Sequence, residues 1–265
     1  MIGAIIGDIV GSRFEFHNYR SKDFELFTDK NFFTDDTVMT CAVADCLING
    51  KDAAKTLQHF GRVFPGRGYG GHFHYWIYTF YPEPYYSFGN GAAMRISPVG
   101  WYAESEEEVK TLSKKVTEIT HNHPEGLKGA EVTAMCIYYL RKGYTKEEIR
   151  KYAVQNYPEI AEMDYHELVK NYRFNETCQN TVPQAIYCFL ISNSFEDCLR
   201  TSISIGGDSD TLCAISCALA EAHYGIPTRY LKSIRKYFSK QDWNKLISPI
   251  VEIYKKSGNK LNIYL

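Results

Sequence analysis

Residues 34–50 read TDDTVMTCAVADCLING, and the same layout returns at residues 206–225 as GGDSDTLCAISCALAEAHYG. In each, a hydroxyl-flanked pair of aspartates heads an apolar run. In the second run Leu212, Ile215, Ser216, Leu219 and His223 fall near helical spacing, and Gly225 with Pro227 stops it. Each acidic cluster therefore belongs at a helix N-terminus, where free N–H groups and a partial positive charge favour carboxylates. Taken singly, either cluster is accounted for by capping. Brought together, the two offer four carboxylates and several hydroxyls, all hard oxygen donors suited to Mg²⁺ or Mn²⁺. Two such ions would relieve a repulsion that four close carboxylates do not otherwise tolerate. The expectation is a binuclear metal site assembled from two helix starts.

Upstream of the first cluster, Gly3, Gly7 and Gly11 recur every fourth residue. On a helix they form one smooth stripe that lets another backbone approach closely. Phe14-Glu15-Phe16 follows, and the charged, aromatic segment to Phe33 reads as loop. Thr34 or Asp35 then caps a helix ending at Asn49-Gly50, and a second helix runs from about Asp52 to Phe64. PGRGYGGHF at residues 65–73 reads as a loop with four glycines, Gly66, Gly68, Gly70 and Gly71, whose backbone amides suit a phosphate. It is not a P-loop, because no G-K-[ST] follows. Residues 72–88 are dense in aromatic side chains, and Gly89-Asn90-Gly91 leads into a helix-like stretch that Pro98 interrupts.

Further on, Ser105-x-x-Glu108 and Thr145-x-x-Glu148 read as capping boxes opening helices. His121-Asn122-His123-Pro124 breaks the first of these helices, and another runs from near Pro124 to Lys142 with Gly143 as its stop. Residues 156–179 are mixed. Helical patterns return at Thr181–Ser192, Phe195–Ile205, Tyr230–Phe238 and Trp243–Tyr254. No alternating strand pattern, tandem repeat or Gly/Ser/Pro linker is visible. The chain reads as one all-α domain over residues 1–265.

Composition narrows the function classes. With 30 basic and 31 acidic residues in 265, the chain has no electrostatic footprint for nucleic acid. Eight cysteines without a C-x-x-C pair read as buried reduced thiols rather than a zinc or redox framework, which points to a cytoplasmic setting. The N-terminus lacks a basic n-region, and Asp8 interrupts an apolar run too short to span a bilayer, so no membrane role is expected. No helix face stands out as too apolar for a monomer, which leaves the oligomeric state unknown.

GDIVGSRFEF, TDDTVMT, GNGAAMR, ITHNHPEG and GGDSDT, in this order, resemble the ADP-ribosylglycohydrolases, the group of dinitrogenase-reductase-activating glycohydrolases and animal ADP-ribosylhydrolases. The resemblance runs from about Ile2 to Pro227. It implies an all-α bundle of many helices with two Mg²⁺ or Mn²⁺ ions in a central cleft. It also implies cleavage at the ribose C1″ of ADP-ribose, on a modified side chain of arginine or serine type or on a small ADP-ribose derivative. Carried over by position, it assigns Thr34, Asp35 and Asp36 as ligands from the first cluster and Asp208, Asp210 and Thr211 from the second. Glu15 matches the family's acidic residue after the first glycine-rich helix. Gly68, Gly70, Gly71, Gly89, Asn90 and Gly91 match places where the diphosphate and distal ribose lie, and His121 lies in the segment near the nucleotide. Some relatives carry a further acidic residue just before the GNG element. Here Pro84-Tyr85-Tyr86-Ser87-Phe88 offers no carboxylate.

Scission at an anomeric carbon passes through an oxocarbenium-like state that carboxylates stabilise. The expected reaction is hydrolysis by water activated at the ions, with Asp36 or Glu15 moving the proton. A carboxylate clamped to a cation stays ionised, so Glu15 is the preferred acid/base. A catalytically silent ADP-ribose-binding or structural protein is the alternative of a different class, because the family also resembles the jellyfish J1 crystallins.

Overall fold

The computed structural model describes residues 1–258. Helices follow one another along the chain as α1 (Ile2–Gly11), α2 (Asp35–Asn49), α3 (Ala53–Val63), α4 (Gly71–Tyr78), α5 (Gly91–Met94), α6 (Ser97–Tyr102), α7 (Glu106–Thr117) and α8 (Pro124–Arg141). They continue as α9 (Lys146–Asn156), α10 (Tyr165–Asn171), α11 (Cys178–Ile191), α12 (Phe195–Ser204), α13 (Ser209–Tyr224), α14 (Thr228–Arg235) and α15 (Lys240–Lys256). Among the described residues there is no strand, only an isolated antiparallel bridge between Gly89 and Thr177. The all-α expectation holds. The single-domain expectation extends to residue 265, and residues 259–265 lie outside the described ones.

The bundle is organised around α13. Every residue from Ser209 to Glu221 is buried, as expected of a helix whose small and apolar residues occur all round rather than on one stripe. The glycine stripe of α1 explains how a neighbour comes so close. A Cβ on Gly3 or Gly7 would collide with the carbonyl oxygen of Cys217 or Cys213, and one on Gly11 would lie 2.6 Å from the Asp210 Cα. The two helices thus run antiparallel with their main chains in contact. Helices α2, α5, α8, α11 and α12 complete the surround.

At the end of this pair remote from Gly11, the buried Glu221 carboxylate is fully answered. It accepts from the Met1 ammonium at 2.5 Å, from the Gly3 N–H at 2.8 Å and from the Tyr254 hydroxyl. All eight cysteines are buried and unpaired. No helix among the described residues is long and apolar enough to cross a membrane.

Local signals fix most boundaries. Thr34, not Asp35, caps α2, accepting from the Asp36 N–H, and Gly50 ends it at φ 61°. The Thr145–Glu148 capping box is complete. At Ser105 only half of the box forms, because the Glu108 carboxylate turns to the Glu104 N–H instead. Three helices depart from expectation. The loop expected over residues 65–73 gives way to α4 from Gly71 onward, held by burial of Phe73, Trp76 and Ile77 at helical spacing. In the mixed stretch, α10 forms behind an Asp164 cap and packs Tyr165, Leu168 and Val169 against the core while burying none of them fully. Helix α11 starts earlier than expected, at Cys178, and carries Pro183 inside it.

Candidate active site

The first cluster is set by a residue far upstream. Asp8, on α1 and fully buried, accepts from the backbone N–H groups of Thr34 and Thr37 and from both their hydroxyls. Both threonines are thereby turned toward α1, and Asp35 and Asp36 are left facing the cavity. The Asp35 N–H donates to the Arg67 carbonyl at 2.8 Å, tying the glycine-rich loop to the same corner.

The second cluster depends on Gly206 and Gly207, which take φ of 74° and 81° in the turn before α13. A side chain there would be strained and would also meet Arg20 or Tyr172. Asp208 is the α13 N-cap residue but makes no capping bond. Its carboxylate accepts instead from the Asn90 amide at 2.7 Å. The capping explanation therefore fails for it. Thr211 bridges the clusters, its hydroxyl 3.4 Å from an Asp36 oxygen.

Glu15, Asp208 and Asp210 each place a carboxylate oxygen within 4.8 Å of the others. Burial first, and then Asp210, pushes Glu15 up to about 8. Burial followed by a neighbouring carboxylate holds Asp35, Asp36 and Asp210 well above their ordinary 3.8, the neighbour being Asp210 for the first two and Asp208 for the third. Asp8 and Asp208 rise to about 6, again chiefly through burial, against the pull of their hydrogen-bond donors. Asp36 Oδ1 and Asp210 Oδ1 are buried with no hydrogen-bond partner. Glu15, Asp35, Asp36, Asp208 and Asp210 are thus gathered with no ion-pair partner among the described residues. Oxygen-only donors, two of them orphaned and buried, suit a hard divalent ion. The acidic cluster could hold metal.

Beside it opens a concave cleft of about 250 Å³. Of the residues anticipated from sequence, Glu15, Asp35, Asp36, Gly68, Gly70, Gly71, Gly89, Asn90, Gly91, His121, Asp208, Asp210 and Thr211 all line it. Thr34 does not line it, and its hydroxyl proton is committed to Asp8.

Four other residues matter and were not anticipated. Asp8 had a signal, a lone charge inside an apolar helical run. Arg95, Tyr85 and Glu176 also line the cleft. Arg95 ends the GNGAAMR string, and Glu176 reaches the cleft because its carbonyl accepts from the Asn90 N–H at 2.7 Å.

Other proteins share this arrangement of chain. A family model described as ADP-ribosylglycohydrolase matches residues 1–260. ADP-ribosylhydrolase ARH3 of Mus musculus is 25% identical, with 85% of this chain and 83% of the relative covered. The Homo sapiens ARH3 is 24% identical over 97% and 93% of the respective chains. ADP-ribosyl-[dinitrogen reductase] glycohydrolase of Rhodospirillum rubrum is 28% identical over 55% of this chain and 50% of its own. A solved structure described as an ADP-ribosylglycohydrolase-related protein complex has the same fold, with a TM-score of 0.73 and 22% identity over 97% of this chain and 95% of that one.

Proposed function

The chain belongs to the ADP-ribosylglycohydrolase family, and from that premise we propose that it uses divalent cations to hydrolyse the C1″ glycosidic bond of ADP-ribosylated arginine or serine side chains. The observation that carries this reading is the gathering of carboxylates without ion-pair partners, two of them with buried orphaned oxygens, beside a glycine-lined cleft. Two Mg²⁺ or Mn²⁺ ions would be held by Asp35, Asp36, Asp208, Asp210 and Thr211. Thr34 keeps the turn in place and retains one lone pair for an ion. When bound, such ions supply Lewis acidity to water and to sugar hydroxyls.

The residues of the chain have their own work. Asp208 and Asp210 present negative charge to a sugar ring that becomes positive as the bond breaks. Glu15, set beside Asp210 at the edge of the cluster, protonates the departing side-chain atom and afterwards accepts a proton from the incoming water. Asp36 is the second candidate for that proton relay. Gly68, Gly70, Gly71, Gly89 and Gly91 give the cleft walls without side chains, so a diphosphate and ribose can lie against main-chain N–H groups. Asn90 holds Asp208 in place from the same wall. The buried, unpaired thiols support a cytoplasmic setting. The continuous apolar core supports one domain over the chain.

The test is ADP-ribose release from an arginine-linked and a serine-linked model peptide, in Mg²⁺, in Mn²⁺ and in EDTA. Release from one of them that EDTA abolishes is the expected result and names the linkage. Release unaffected by EDTA would overturn the cation requirement, and no release from either peptide would overturn the protein-side-chain substrate.

A further inference from the structure

Arg95 is buried to 1% exposure and has no ion-pair partner among the described residues. Burial draws its pKa down to about 10, still high enough to keep the guanidinium charged at neutral pH. Its Nη2 donates to Thr120 Oγ1 at 2.8 Å, and its Nε has no acceptor. Thr120 is fully buried, and its Oγ1 lies 2.7 Å from His121 Nδ1. The far side of the ring meets the cleft wall. There His121 Nε2 lies 3.3 Å and 3.5 Å from the points where Gly91 and Gly89 would carry a Cβ, and it has no hydrogen-bond partner among the described residues.

Proton counting settles which ring nitrogen bears the hydrogen. A guanidinium can only donate, so one Thr120 lone pair is occupied by Arg95. Were His121 Nδ1 protonated, the hydroxyl would receive two donors and its own proton would face no acceptor, at a cost of roughly 1–3 kcal/mol. Giving the hydroxyl proton to Nδ1 satisfies every group in the chain. An imidazolium is disfavoured by burial and then by the Arg95 charge, which hold His121 well below its ordinary 6.5. The ring is neutral, and its single proton sits on Nε2.

We propose that Arg95 and Thr120 are positioning residues that lock His121 as the Nε2–H tautomer and aim this one donor at a phosphate oxygen of the ligand lying along Gly89 and Gly91. The naming of phosphate rests on the ADP-ribosyl reading of the cleft, whereas the tautomer does not. The guanidinium behind the ring, which makes no ion pair but feels the Asp35 carboxylate, favours an anion at its front. With Nε2 already protonated and Nδ1 occupied, His121 has no free lone pair for a proton abstraction. Its part is recognition.

The experiment reads the ring directly. Histidine is ¹⁵N-labelled in the full chain, and long-range ¹H–¹⁵N spectra are recorded at neutral pH without ligand, the His121 signals being those lost in His121→Gln. The expected pattern is a bare Nδ1 and a protonated Nε2 in the parent and in Thr120→Ser, and a mixture of tautomers in Thr120→Val. With ADP-ribose added, the Nε2 proton should shift, and the Kd should rise about tenfold or more in Thr120→Val, as for one lost hydrogen bond to a charged group, but not in Thr120→Ser. A proton on Nδ1, an imidazolium, or a Thr120→Val protein identical to the parent in both readouts would overturn the proposal. A parent protein with the expected ring pattern that binds no ADP-ribose would overturn the ligand assignment and leave the tautomer lock standing.

Discussion

The antiparallel pair α1 and α13 carries buried carboxylate at both of its ends, and the two ends are treated in opposite ways. At one end Glu221 meets an ammonium, an amide N–H and a phenol, so both its oxygens are satisfied. At the other end Asp210 stands among Asp208, Glu15 and Asp36, with one oxygen orphaned and no ion-pair partner among the described residues. The helices are the same and the burial is the same. A partnered buried charge is consistent with a structural role, whereas a cluster left without partners has to be explained by what it binds.

The comparison is most exposed to test at its closed end. Glu221→Ala leaves the ammonium and the Tyr254 hydroxyl buried and unanswered, and should cost about 3–5 kcal/mol in urea unfolding. Activity per folded molecule should stay near that of the parent. A loss within experimental error of zero would mean that the satisfied end contributes no more than the open one.

At the open end the expected pattern is the reverse. Asp210→Ala removes a repelled carboxylate, so the protein in EDTA should be as stable as the parent or more so. ADP-ribose release, by contrast, should fall about 10²-fold or more, roughly 2.7 kcal/mol in the barrier. If stability in EDTA drops while turnover survives, the two ends are alike after all.

Glycine substitutions sharpen the contrast because they disturb the same interface at its two extremities. Gly3→Ala and Gly11→Ala each force main chains apart and should each cost about 1–3 kcal/mol. Only Gly11→Ala, whose new methyl would press on Asp210, should also lower turnover.

The mildest test uses pH. Glu15 binds its proton more tightly folded, near 8, than at its ordinary 4.5. Asp8 and Asp208, near 6 against 3.8, act in the same direction. Proton binding therefore favours the folded state. The EDTA-treated protein should keep its full stability below about pH 4 and lose Tm from there upward until the pH has passed about 6 and then 8. Added Mg²⁺ or Mn²⁺ should flatten that slope. A Tm that rises with pH in EDTA would contradict the raised values.

Much of this was legible in the chain because it is written in local patterns. The two aspartate pairs, the glycine stripe and the Gly89–Gly91 element each announce themselves within a dozen residues, and the cleft brings the aspartates and the Gly89–Gly91 element together. Asp8 was not legible as a brace, because the donors it serves lie 26 and 29 residues away and its meaning depends on how α1 meets α2. Arg95 and Thr120 were hidden for the same reason, 25 residues apart and joined only when α7 ends beneath the GNG turn. Helix α4 was masked by local glycine content that burial of Phe73, Trp76 and Ile77 overrode.

One feature of the α1/α13 contact reaches beyond stability. Where two main chains touch without side chains between them, no rotamer can give way. The spacing of the α1 and α13 main chains, from which Asp8 and Asp210 project, is therefore ruled by bond lengths and helix pitch, like the jaws of a fixed-gauge calliper. A guest ion slightly too large could not be accommodated by small shifts at this seam. Discrimination between a compact cation and a bulkier one such as Ca²⁺, which tolerates longer and looser coordination, would then be a property of three glycines that touch no ion at all.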